Sequence, residues 1–206
     1  MSPDRSPAKV WQEMLRGNER FVSGAPKHPR QDVERRAELA QKQSPDAALF
    51  GCSDSRLAAE IIFDKGIGDL FVVRNAGQII SDSVIGSLEY AVSVLQVPLI
   101  VVLGHDECGA VRAAIDSQGP DAPVLPPHIA NLVSKIVPAV TRVKATHEHI
   151  DSQDVGREHL RDTIAELLES SELISDAVAA GTLAVVGANY RLLEGRAVPD
   201  VILGTV

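Results

Sequence analysis

The sequence predicts an α/β fold: a mostly parallel β-sheet flanked by helices, with an N-terminal helical arm. Two observations predict it. Four short runs, residues 47–51, 70–74 (up to its closing Arg74), 98–104 and 183–186, are continuously apolar rather than alternating. That is the pattern of strands buried on both faces, as in parallel sheets. Stretches of helical periodicity separate the runs, the alternation that lays helices on both faces of one sheet.

The elements follow in order. Ser6-Pro7 combines a hydroxyl cap with proline at the first helical position. Val10, Trp11, Met14, Leu15, Phe21 and Val22 then recur at helical spacing. Residues 24–31, with Pro26 and Pro29, form an irregular connection, and 32–43 a second, strongly charged helix. Residues 1–45 therefore read as an arm laid on something else, such as a second subunit, and 46–206 as the α/β core of a single domain spanning 1–206. Within the core, Val84, Leu88, Val92 and Leu95 mark a helix over 83–95, and another begins near Cys108. The proline-rich stretch 117–127 is a loop. The stripe from Ile129 to Val143 is a helix that Pro138 should kink. A further stripe runs from Val155 to Leu168, and 198–203, beside Pro199, is an edge strand.

Composition excludes several function classes. The net charge of −8 disfavours nucleic acid and anionic membranes, which both attract basic surfaces. Aromatic residues are 3% of the chain, too few for a base-stacking surface. No apolar run approaches the roughly 20 residues that span a bilayer, and no leader pattern stands at the start, so the expected location is cytoplasmic. There a structural disulfide between the two cysteines, Cys52 and Cys108, is not expected.

Both cysteines fall where apolar runs end. Gly51-Cys52-Ser53-Asp54-Ser55-Arg56 follows the first, and Gly104-His105-Asp106-Glu107-Cys108-Gly109 the third. Ligands in such sheets bind beyond the carboxyl ends of the strands. If these two strands are neighbours, Cys52, His105 and Cys108 meet. Two thiolates and an imidazole form a zinc set, and three protein ligands with one position spare define a catalytic site. Such a site carries near-zero net charge, so it acidifies water less than three neutral imidazoles would, and the nucleophile needs help. Asp54 can accept a hydrogen bond from zinc-bound hydroxide, and Arg56 can hold Asp54 ionised and turned from the metal by a bidentate pair. Released from Arg56, Asp54 becomes the fourth ligand of a closed state.

The Cys-Ser-Asp-Ser-Arg run, followed 53 residues beyond its cysteine by His-x-x-Cys-Gly, resembles the β-class carbonic anhydrases over roughly residues 10–205. The resemblance implies a β-carbonic anhydrase-like fold and a zinc-dependent lyase, with one Zn2+ per chain, hydrating CO2 reversibly to bicarbonate and a proton. It implies Cys52, His105 and Cys108 as ligands, Asp54 and Arg56 as catalytic dyad, and the Gly109 N–H near the substrate. Gln31 matches a glutamine that hydrogen-bonds substrate. Phe71, Ala76 and Tyr90 match positions lining the CO2 pocket, partly across a dimer interface. It further implies a homodimer or homotetramer with the N-terminal helix wrapped on its partner. Some members carry an inhibitory bicarbonate pocket of tryptophan, arginine and tyrosine; those positions here hold Leu49, Arg74 and Tyr190, so the tryptophan is missing.

Other readings stay open on the residues alone. A related zinc hydrolase acting on carbonyl sulfide or carbon disulfide would use the same motifs. A zinc-binding, non-catalytic or redox-sensing module would make the Asp54–Arg56 pair dispensable. Four of the remaining histidines read as non-ligands: His147 and His149 are two apart on an expected helix, and His128 and His159 are isolated.

Overall fold

The computed structural model describes residues 5–206. Five strands form one sheet in the order β2-β1-β3-β4-β5. They are β1 (Ala47–Cys52), β2 (Leu70–Asn75), β3 (Leu99–His105), β4 (Ala184–Arg191) and β5 (Arg196–Leu203). The first four are mutually parallel and β5 runs antiparallel to β4. Every residue of β1 and β3 is buried, which is why both runs carry no alternation. From β1 the chain moves one way to β2 and then back across to β3. The carboxyl ends of β1 and β3 therefore flank the point where strand order reverses, the place where open α/β sheets bind ligands.

Two apolar layers cover the sheet. On one face Leu49, Leu99, Val101 and Leu103 pack with α1 (Pro7–Val22), α3 (Ala59–Ile62), α5 (Gly109–Asp116), α6 (Pro127–Ser134) and α7 (Val137–Thr146). On the other, Ala48, Phe50, Ile100 and Val102 pack with α4 (Asp82–Ser93), most of α8 (Ser152–Ser170) and α9 (Glu172–Ala179). The sequence periodicity did not single out α3 or α9. Pro138 does more than kink: the stripe breaks into α6 and α7, with proline in the first turn of α7, where its missing N–H costs nothing. Helix α7 ends at Thr146, so His147 and His149 lie in a connection rather than on a helix. The charged helix α2 spans only Val33–Leu39 and buries no residue.

Helix α1 starts as expected, Ser6 Oγ accepting from the Lys9 N–H with Pro7 following. Its stripe of Val10, Trp11 and Met14 is buried against the chain's own core, not left bare for a partner. Gly17 lets α1 approach closely, since a Cβ there would overlap the Phe63 carbonyl. Asn18 then ties α1 to α3 and to the start of β5, donating to the carbonyls of Ile62 (3.1 Å) and Gly195 (2.8 Å) and accepting from the Ala197 N–H (2.9 Å).

Asp64 fastens the end of α1 and the loop beyond it. Its buried carboxylate accepts from Arg20 Nε at 2.6 Å and from the N–H groups of Lys27 and His28. Burial works against the charge, but these donors outweigh it and hold the pKa below the usual carboxylate range. A lowered pKa makes the contribution complete above the unfolded value, near 4, and lost as pH falls through the folded one. Asp64→Ala should cost about 2 kcal/mol through the donors left unpaired and lower Tm by roughly 4–8 °C at pH 7. Thermal melts should show the gap to the parent narrowing as pH drops below about 4; a gap independent of pH would remove the charge from this account.

Candidate metal centre

Cys52 ends β1, His105 ends β3 and Cys108 stands at the N-cap of α5 three residues later. The register of β1 on β3 brings the two strand ends side by side. One ligand-capable atom from each residue lies within 4.8 Å of the others, and all three residues are buried. Both cysteines are free thiols.

His105 carries the most specific sign. Its Nδ1 lies 2.7 Å from the Asp106 carbonyl oxygen, an acceptor only, so Nδ1 bears the proton and donates. That leaves Nε2 with a bare lone pair, and Nε2 is buried without a hydrogen-bond partner. A buried polar atom is rarely left unpaired, whereas a metal-ligating histidine commonly spends its other ring N–H on a carbonyl. The two thiols pull their ionisation apart. The neighbouring Cys108 thiol lowers the Cys52 pKa despite its burial; Cys108, next to that sulfur and itself buried, is pushed up. A divalent cation would relieve this conflict by stabilising both thiolates. The donor set therefore fits a metal ion.

The Cys52 loop is braced from several sides. The Gly77 N–H donates to Cys52 Sγ at 3.4 Å. Arg74 donates to the carbonyls of Cys52 (2.9 Å) and Asp54 (2.6 Å). The arginine that resemblance assigned to a regulatory pocket is thus engaged by the loop itself, while Leu49 and Tyr190 are buried in the apolar layer. Asp54 is gripped by Arg56 in a two-pronged pair, Nε to Oδ1 at 2.9 Å and Nη2 to Oδ2 at 2.7 Å, with the Arg56 N–H adding a third bond at 2.9 Å. This pairing drives the Asp54 pKa well below the usual range. Arg56 also donates to the Glu107 carbonyl at 3.1 Å, joining the two motifs. Asp54 is therefore held on Arg56 and is not one of the converging ligand atoms. Gly109 is exposed at the start of α5, in the turn whose N–H groups lack helical partners.

Three expected pocket residues lie elsewhere in the chain. Phe71 pairs with Ala48, four positions before Asn75 pairs with Cys52, or roughly 13 Å along the strand. Tyr90 packs on Phe71, ring centroids 6.1 Å apart, and is exposed. Gln31 is exposed and follows Arg30, which bonds Asp69 and Ile67 just ahead of β2. All three sit toward the amino end of the edge strand β2, away from their own chain's metal centre. Ala76, by contrast, adjoins Gly77. In the sequence Gly77 has no role and His159 reads as isolated: His159 Nε2 donates to the Gly77 carbonyl at 2.7 Å, a backbone contact that no motif announces.

Among the described residues, no helix is long and apolar enough to cross a membrane. The family model described as carbonic anhydrase matches residues 47–197. Carbonic anhydrase 2 of Mycobacterium tuberculosis is 48% identical over 197 residues, covering 95% of this chain and 94% of that one. The carbonic anhydrase of Mycolicibacterium smegmatis is 47% identical over 195 residues, covering 94% and 93%. Among solved structures, a tetrameric β-carbonic anhydrase from Sordaria macrospora superposes with a TM-score of 0.67 at 27% identity, covering 92% of this chain and 96% of that one. The Coccomyxa β-carbonic anhydrase matches in fold, with a TM-score of 0.71 at 23% identity, covering 90% and 84%. With the motifs, the fold and these relatives in agreement, the chain belongs to the β-carbonic anhydrase family, enzymes of the lyase class.

Proposed function

We propose that the protein hydrates CO2 reversibly to bicarbonate and a proton, using one zinc ion per chain held by Cys52 Sγ, His105 Nε2 and Cys108 Sγ. The observation that carries this reading is the buried, unpartnered Nε2 of His105 facing two free thiols. When bound, zinc in an open three-ligand set supplies a water acidic enough to act as nucleophile near neutral pH.

The chain's own residues do the rest. Asp54, ionised and fixed by Arg56, accepts a hydrogen bond from the nucleophile and orients its lone pair toward the carbon. Arg56 holds that carboxylate away from the ligand set, and its bond to the Glu107 carbonyl keeps the dyad in register with the His105 motif. Freed from Arg56, Asp54 serves as the plug of a closed state. The Gly109 N–H offers a donor to a substrate oxygen. Gln31, Phe71 and Tyr90 complete the substrate pocket of a second copy, across a homodimer that packs on the β2 edge and that can pair into a tetramer. In support, those residues are turned away from their own centre, and the relative from Sordaria macrospora is described as tetrameric. The native mass should accordingly be two or four times 22.0 kDa by analytical ultracentrifugation; a stable monomer with full activity would contradict the shared pocket.

Stopped-flow CO2 hydration, run on protein of known zinc content, tests the activity. Turnover should rise in proportion to zinc occupancy. Faster hydrolysis of carbonyl sulfide than hydration of CO2 on the same sample would overturn the substrate assignment.

A further inference from the structure

One buried titratable group is used by nothing described so far. His159 lies on α8, 4% exposed. Its Nε2–H donates to the Gly77 carbonyl, and its Nδ1 is buried without a partner. Burial pushes its pKa down and keeps the ring neutral. An apolar side chain would fill this place without stranding a ring nitrogen; what histidine adds is the donor to Gly77.

The turn receiving that bond is unusual. Gly77 and Gln78 are successive residues with positive φ, +80° and +47°, a conformation that is costly for a side-chain-bearing residue such as Gln78. Asn75 holds the turn from within, donating to the Ile79 carbonyl and accepting from its N–H, both at 2.7 Å. Helix α8 holds it from outside through His159, while the Thr163 hydroxyl donates to the His159 carbonyl at 2.8 Å. The other side of the same turn presents the Gly77 N–H to Cys52 Sγ. No residue beyond glycine fits at 77, since a Cβ would meet Ala110 at 2.8 Å.

We propose that His159 is a positioning residue for the metal centre: by anchoring the Gly77 carbonyl from helix α8, it aims the Gly77 N–H at the Cys52 sulfur and so sets that ligand's donor strength. The inference rests on Cys52 being a metal ligand. Partners one shell behind a ligand commonly govern metal affinity by 10–100-fold. His159 acts one step further back, so an effect of about tenfold is expected.

The test uses the full-length protein loaded with Co(II), whose bonds to thiolate give a near-ultraviolet charge-transfer band, and zinc affinity from chelator competition. In His159→Leu the band should move to longer wavelength, because a sulfur relieved of its N–H donor holds its electrons less tightly. Zinc binding should weaken about tenfold, because the loosened turn no longer holds the Cys52 sulfur in place or helps keep it a thiolate, which outweighs the richer sulfur. His159→Gln, whose amide nitrogen can reach the same carbonyl, should restore both. Leu167→Ala, in the core on the same helix, should lower stability and leave the band alone. If His159→Leu does not fold, His159→Asn, too short to reach Gly77, should show the same shift. An unshifted band with parental zinc affinity in these variants would overturn the proposal. No cobalt–thiolate band in the parent protein would instead overturn the ligand assignment beneath it.

Discussion

Asp54→Asn should keep its metal and lose most of its turnover, with kcat/KM falling by about 10²–10³. The reason lies in the pair with Arg56. Two carboxylate oxygens now receive Arg56 Nε and Nη2 while lone pairs remain to accept from the nucleophile. An amide presents one oxygen and one NH2 group in the same space. The amide must either give up one prong of the arginine or aim a donor at the nucleophile, and it cannot carry the negative charge that Arg56 stabilises. None of the three converging ligand atoms belongs to Asp54, so metal content should stay near the parent's. Stopped-flow hydration beside metal analysis checks both halves. Parental activity would remove Asp54 from the mechanism, and loss of metal would place it among the ligands.

Cys52→Ser should abolish both metal and activity while leaving a folded chain. A serine hydroxyl stays protonated near neutral pH and offers zinc no thiolate. Two ligands from one motif, His105 and Cys108, then remain. The fold should survive because Cys52 sits at the end of a strand whose Ala47, Leu49 and Phe50 are packed in separate apolar layers above and below the sheet. Tm should fall, since a ligand that stabilises the native state is gone. Circular dichroism at 25 °C should be unchanged. An unfolded variant would mean that the metal is structural, and a fully active one would exclude Cys52 from the centre.

Much of this was legible in the sequence for a physical reason. Strands buried on both faces must be apolar throughout, so β1 and β3 stood out, and both cysteines of the chain standing at such strand ends beside polar partners is a pattern that packing alone does not ask for. What stayed hidden lacked such a signature. Helix α3 is four residues long, too short to show a period. In β4, Gly187 to Arg191 mixes polar and apolar residues where the strand runs beside the end of β3, with Tyr190 opposite His105. At the break before Pro138, Ile136 stays buried between α6 and α7, so the apolar period runs on through it and cannot distinguish a break from a kink. His159 looked isolated because its partner is a backbone carbonyl 82 residues away. Phe71, Tyr90 and Gln31 were placed by resemblance to a family. Their position toward the amino end of the β2 edge, away from their own centre, is one that no periodicity announces.

X-ray absorption at the zinc edge tests the central claim most directly, because it counts the atoms around the bound ion. On purified, fully loaded protein near neutral pH, each zinc should show two sulfur neighbours and two lighter ones, one from His105 and one from water. In Cys52→Ser, any residual zinc should show at most one sulfur. An ion ringed only by oxygen and nitrogen, or a protein that retains no zinc after dialysis, would contradict the convergence of Cys52, His105 and Cys108 on a single metal.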